Sequence, residues 1–279
     1  VDGGPGTDAG KLNFPSGVAL TNGGLHVSEN GNQRAQSFDL ATCCTTATQA
    51  VGAIVLGCEP QDLACFLGSY AVNRLRAPTR IDAMNDELFI ADTDNHRVLR
   101  VSNSSVEVVA GTTGIAGCRP EQLRSPQGVA TDSSGFLYVA DTGNHRIQKF
   151  AVAAGDRIGL TVAGECCCPS VDGGGIPLGG SGLHELDGPR GLVIDVATGA
   201  LVVADTGNQR VLAFGGVGYE QRRAPGASSA PSVCVLPTAR AAASKRASRT
   251  SSEHHAKRAT RPNIRAPANP LQQQGCSYG

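Results

Sequence analysis

The chain contains no tryptophan, one methionine and only 4% aromatic residues, so its interior has to be filled by Val, Leu, Ile and Ala rather than by stacked rings. None of its ten cysteines forms a Cys-x-x-Cys pair. That excludes a zinc ribbon or RING module, in which two closely spaced thiolates grip one tetrahedral metal. No stretch approaches the roughly 18 consecutive apolar residues that a membrane helix requires, so no membrane span is expected. No G-x-S-x-G elbow, H-E-x-x-H helix or phosphate-binding P-loop occurs, and the local signatures of common hydrolases, metalloproteases and nucleotide enzymes are missing.

Net charge is also lacking, with 24 Lys and Arg against 24 Asp and Glu, but the balance hides an asymmetry. Residues 221–279 hold ten Lys and Arg and a single acid, Glu253, which leaves residues 1–220 acidic. The tail, rich in Ala, Ser, Arg and Pro, lacks large apolar residues and is expected to be disordered. Nucleic acid is expected only there, because phosphate recognition is dominated by Lys and Arg. The Arg246-Ala247-Ser248 segment adds a candidate phosphorylation site. A solvated extension without any partner accounts for the same composition.

What the chain has in quantity is Gly and Pro, 36 and 15 residues, which signal many turns between short elements. Four segments align with one another, starting at Pro15, Pro78, Pro126 and Pro189. Each runs from a Pro through a turn rich in Gly, Asn, Asp and Ser to an apolar run such as Leu137 and Val139, then to Asp-Thr-Gly/Asp-Asn-His/Gln-Arg. The apolar residues alternate with a period of two, the mark of strands rather than helices. A third run follows each arginine, and a fourth lies in the connectors at Ala53–Leu56, Val106–Val109 and Leu160–Ala163. Four strands and three turns predict a small antiparallel sheet, and such sheets must stack to bury both faces.

The fold class predicted is all-β: a β-propeller of four-stranded antiparallel blades, about four of them, followed by the disordered tail. The repeat cores are placed at 15–38, 78–101, 126–150 and 189–214 within a blade region of 15–220, with 1–14 as the connector left from a preceding repeat. No convincing last strand follows Phe214. The array is therefore expected to be a fragment or an open arc rather than a closed ring.

The stretch Pro126–Phe150, with Ala-Asp-Thr-Gly-Asn-His-Arg at its centre, resembles the NHL repeat, here with Arg as the third signature letter in every copy. The join from Val108-Val109-Ala110-Gly111 to Leu123-Arg124-Ser125-Pro126 resembles that family's connectors. The resemblance implies a propeller, usually of about six blades, and a recognition role for protein or RNA in larger proteins, including ubiquitin ligases whose RING this chain lacks.

The signature residues are expected to be architectural because they recur in every copy, whereas a catalytic group is unique in its site. They are Asp92, Asn95 and Arg97; Asp141, Asn144 and Arg146; Asp205, Asn208 and Arg210; and, in the first copy, Asn32 and Arg34 after Glu29-Asn30. The acids are expected to close the turn, Gly143 and Gly207 to supply positive φ, the asparagines to tolerate left-handed backbone, and the arginines to tie neighbouring blades. His96 and His145 alternate with Gln33 and Gln209, which argues against a metal site repeated in every blade. His26 and His184 stand alone. No catalytic residue, metal or cofactor is assigned.

The leading functional expectation is a scaffold that binds a protein partner through its variable connectors. The alternative is a propeller enzyme, a metal-dependent lyase or hydrolase with its site on the central axis. A structural repeat with no discrete site, favoured if the cysteines form disulfides, is the third possibility.

Overall fold

The computed structural model describes residues 6, 8, 10–40, 53–57, 72–102, 105–155, 157–164, 178–215 and 233–235. These form four antiparallel sheets of four strands, each sheet ordered as its strands follow in the chain. Blade 1 comprises β1 (Pro15–Thr21), β2 (Gly24–Glu29), β3 (Arg34–Phe38) and β4 (Ala53–Gly57). Blade 2 comprises β5 (Pro78–Met84), β6 (Glu87–Asp92), β7 (Arg97–Val101) and β8 (Val106–Gly111). Blade 3 comprises β9 (Gly128–Thr131), β10 (Phe136–Asp141), β11 (Arg146–Ala151) and β12 (Leu160–Ala163). Blade 4 comprises β13 (Pro189–Ile194), β14 (Leu201–Asp205), β15 (Arg210–Phe214) and β16 (Val233–Val235).

Two differences from the sequence reading stand out. The family resemblance implies a ring of about six blades, whereas the described residues build four, the number the repeats predict. The last strand of blade 4 comes from Val233–Val235, inside the stretch expected to be disordered, where it pairs antiparallel with Leu212–Phe214. Three residues with β-branched ends can complete a sheet edge without supplying a core of their own, so the composition of the tail concealed them. The rest of the basic tail lies outside the described residues.

Register decides which side chains meet. In blade 3, Val139 lies opposite Val129 and Gln148, and Leu137 opposite Phe150, so these side chains share the face turned to blade 2. There they join Phe89, Ala91, Val98 and Leu123 in one buried cluster. An equivalent cluster between blades 1 and 2 holds Ala19, Ala35, Ile81, Ile90 and Leu99. A third, between blades 3 and 4, holds Ala140, Ile147, Val203, Leu212 and Phe214. The core is therefore three slabs of aliphatic side chains between sheets, in which each fully buried Val, Leu or Ile contributes about 1.5–3 kcal/mol of transfer free energy. The first strands, β1, β5, β9 and β13, lie side by side in order and form the inner wall of the array.

Short 3₁₀ turns occur at Thr93–Asn95, Thr142–Asn144 and Val152–Ala154. Among the described residues, no helix is long and apolar enough to cross a membrane.

Candidate functional site

The signature residues form one recurring constellation. In blade 3, Asp141 Oδ2 accepts from Asn144 Nδ2 at 2.7 Å and Arg146 Nε at 2.8 Å, while Oδ1 accepts the Arg124 N–H at 2.7 Å. Asp92 does the same with Asn95, Arg97 and the Arg76 N–H, and Asp205 with Asn208, Arg210 and the Asp187 N–H. In blade 1, the longer Glu29 reaches Asn32, Arg34 and the Asn13 N–H.

Each arginine then reaches with its terminal nitrogens to carbonyls of the connector entering its own blade, rather than to the neighbouring blade as expected, and Arg97 Nη1 also donates to the Thr113 hydroxyl at 3.3 Å. Arg146 reaches Cys118, Arg119 and Gln122; Arg210 reaches Ser181, Gly182 and Glu185; Arg97 reaches Arg74; and Arg34 reaches Asp8 and Lys11. Burial pushes the Asp92 and Asp141 carboxyls up, opposed by the guanidinium beside each, the donated backbone N–H and the asparagine amide. A buried carboxylate with this many donors is a clamp on the chain.

The left-handed residue of the turn is the His or Gln: φ is 56° at His96, 55° at His145, 51° at Gln33 and 53° at Gln209. The preceding Thr-x-Asn closes a 3₁₀ turn in right-handed backbone, so neither the glycines nor the asparagines carry the positive φ expected of them. Gly143 answers a different need. A Cβ there would lie 2.6 Å from Arg124 Cγ and 2.8 Å from the Arg124 carbonyl oxygen.

Sequence reasoning missed the groups that reach forward to the next blade. His96 Nδ1 accepts the Ser125 N–H at 3.1 Å, and His145 Nδ1 accepts the Gly188 N–H at 3.0 Å. An Nδ1 that accepts cannot also donate, so the 3.1 Å approach of Asp187 Oδ1 to His145 Nδ1 is not an ion pair while the Gly188 bond is made. Thr93 and Thr142 donate through Oγ1 to the carbonyls of Pro126 and Pro189, at 2.7 and 2.6 Å. The signal was in the sequence, since these threonines stand between the signature acid and asparagine.

With the recurring polar groups engaged, the side chains that differ between blades are those of the inner wall. A cavity of about 490 Å³ opens there, lined by β5, β9 and β13 and by Val202, Ala204 and Val211 of blade 4. Its walls are mostly aliphatic or backbone, and Asp82 in it accepts from the Thr131 N–H and Oγ1 at 2.7 and 2.9 Å. Arg80, also lining the cavity, is exposed, and its side chain has no ion-pair or hydrogen-bond partner among the described residues. It stands where the other three repeats carry Gly17, Gly128 and Gly191, a departure from the repeat that could have flagged it.

Neither His26 nor His184 lines this cavity. His26 is buried, its Nε2 lies 2.8 Å from Thr21 Oγ1, and burial lowers its pKa. Among the described residues, no group of three His, Cys, Asp or Glu side chains is placed to hold a metal ion. Cys118 is in a disulfide.

Stacked four-stranded antiparallel blades clamped through their connectors define the propeller class. The family model for the NHL repeat matches residues 123–150 and 186–214, in blades 3 and 4, consistent with an NHL-repeat β-propeller. No curated protein matches the sequence. Among solved structures, the chain is similar to a structural genomics protein of unknown function from Bacteroides thetaiotaomicron, with a TM-score of 0.50 and 15% identity over 71% of this chain and 46% of that one. It is also similar to a streptogramin B lyase, with a TM-score of 0.46 and 10% identity over 75% of this chain and 52% of that one. A virginiamycin B lyase from Staphylococcus aureus gives a TM-score of 0.43 and 11% identity over 71% of this chain and 51% of that one. The chain thus spans about half the length of the solved structures it matches.

Proposed function

We propose that this propeller is a protein-binding scaffold whose inner wall takes an extended segment of a partner, with Arg80 holding a carboxylate of that segment. The observation that carries the reading is Arg80 itself: an exposed guanidinium in a mostly aliphatic cavity, at a position where the repeat otherwise uses glycine. A planar fork of donors suits a carboxylate, and apolar walls around it reduce competition from water. The clamp residues Asp92, Asn95 and Arg97 and their counterparts serve the architecture in this reading, which leaves recognition to the residues that vary from blade to blade.

The test uses the full chain and its Arg80→Gly variant, which restores the repeat's own residue and so leaves the fold intact by circular dichroism. A partner captured from cell extract by the wild type is purified, and its Kd is measured against both. The expected result is at least about tenfold weaker binding to Arg80→Gly, equivalent to about 1.4 kcal/mol. Equal affinity for both chains would sink the proposal.

A further inference from the structure

The inner strand of blade 2 departs from the repeat at two places, and the two departures carry opposite charge. Arg80 replaces the glycine of Gly17, Gly128 and Gly191, and Asp82 stands where the other inner strands carry Ala19, Ala130 and Val193. Residues two apart on a strand share a face, and both of these line the inner-wall cavity. The side chain of Ile81 between them packs into the buried cluster shared with blade 1. β5 itself is packed between β1 and β9, so the two groups lie inside the array rather than at either end of it.

A guanidinium and a carboxylate this close on one strand could pair with each other, yet no ion pair or hydrogen bond joins Arg80 to Asp82. Asp82 turns instead to blade 3, where its Oδ2 accepts the Thr131 N–H and the Thr131 hydroxyl. Its Oδ1 has no partner among the described residues. The tether to Thr131 needs an acceptor but not a charge, and an asparagine oxygen would serve it equally. What the tether leaves over is a negative oxygen with free lone pairs, beside a guanidinium with free N–H groups.

We propose that the segment taken by the inner wall is a strand with opposite charges two residues apart, its acid on Arg80 and its lysine or arginine on Asp82 Oδ1. This rests on the reading of the inner wall as the binding surface and adds the second charge that selects the partner. The match follows from the pleat: side chains at i and i+2 of an extended chain lie about 6.5 Å apart along one face, which is the period of Arg80 and Asp82. A free amino acid, whose ammonium and carboxylate are separated by one carbon, is too short to meet both. A segment with two charges of one sign is repelled at one of the two groups, so the pair discriminates as well as attracts.

The test uses the full chain and N-acetylated, C-amidated pentapeptides, whose blocked ends carry no charge. Thr-Glu-Val-Lys-Thr and Thr-Lys-Val-Glu-Thr place both charges on one face in either direction. Thr-Glu-Lys-Val-Thr has the same composition with its charges on opposite faces, and Thr-Glu-Val-Gln-Thr lacks the cation. By titration calorimetry, the better of the first two is expected to bind at least about tenfold more tightly than either control, the scale of a hydrogen bond to a charged group. Asp82→Asn, which keeps the acceptor for Thr131, should abolish that advantage and leave the Kd of Thr-Glu-Val-Gln-Thr unchanged. Arg80→Gly should weaken every peptide that carries Glu. Equal binding of the one-face and opposite-face peptides, including binding of neither, overturns the proposal. If Arg80→Gly weakens the Glu peptides while Asp82→Asn changes none, the carboxylate site stands and the paired-charge inference falls. If Arg80→Gly changes none, both fall.

Discussion

Arg146 Nε donates to Asp141 Oδ2 across 2.8 Å, and both side chains are buried where blade 3 meets the connector that enters it. Because Arg146 also reaches three connector carbonyls, its removal strands a carboxylate and several acceptors together. Arg146→Ala is expected to cost roughly 3–5 kcal/mol in urea unfolding, the range for breaking a buried pair by deleting one partner. Arg210→Ala is expected to cost clearly less, because the Arg210 side chain is 15% exposed and its connector bonds face solvent. Equal losses at the two sites would show that burial does not set the worth of the clamp.

His96 supplies a pH dependence. Its Nδ1 accepts the Ser125 N–H, and burial holds its pKa below the usual histidine value, with nearby Arg124 and Arg76 adding to the effect and Asp94 opposing it. The unfolded chain therefore binds a proton at a higher pH than the folded one, so stability present above about pH 6.5 is lost as pH falls through that value towards the folded pKa. His96→Gln, the residue used by blades 1 and 4, removes the titration while keeping a side chain already found at this left-handed position. Urea midpoints at pH 7.5 and 5.5 should differ less for the variant than for wild type. An unchanged difference would assign the effect to other groups.

The alternation of Leu137 and Val139 made the strands legible in the sequence, because a period of two has one structural meaning when it recurs four times. Residue type alone did not reveal which residue of the signature turn is left-handed. Gly and Asn are the usual occupants of positive φ, but the hydrogen bond from the His145 N–H to the Thr142 carbonyl closes a 3₁₀ turn and moves the reversal one residue further, onto His145. Likewise β16 could not be read from composition, since Val233–Val235 is an apolar island in polar surroundings and its pairing with β15 is a long-range fact. Arg80 was legible in principle as the one break in Pro-x-Gly, but only the fold places it in a cavity.

The glycines at the blade joints should separate by what lies beyond them. Gly128→Ala places a Cβ 2.2 Å from the Arg190 carbonyl oxygen and also close to Leu192, and since backbone cannot swing away as a side-chain tip can, blades 3 and 4 must part. A loss of about 1–3 kcal/mol is expected, the usual cost of overpacking. Gly191→Ala meets only ordinary contact at 3.5 Å and should change the stability of the single chain by less than about 0.5 kcal/mol. Thermal unfolding of the two variants at dilution compares them directly, and a comparable loss at Gly191 would show that the close approach at Gly128 does not set the cost.

The threonines make the same distinction through hydrogen bonding instead of packing. Thr142 Oγ1 donates to the Pro189 carbonyl at 2.6 Å in a buried joint. Thr142→Val, which keeps the shape and deletes the donor, leaves that carbonyl oxygen without its partner and should cost about 1–3 kcal/mol. Thr206 is exposed, and its acceptor lies within its own strand at 3.4 Å, so water replaces what Thr206→Val removes and the single chain should lose almost nothing. Thr206→Val should therefore leave the urea midpoint in place. A Thr206 variant that shifts the midpoint as far as Thr142→Val does would mean that the hydroxyl is already engaged within the chain.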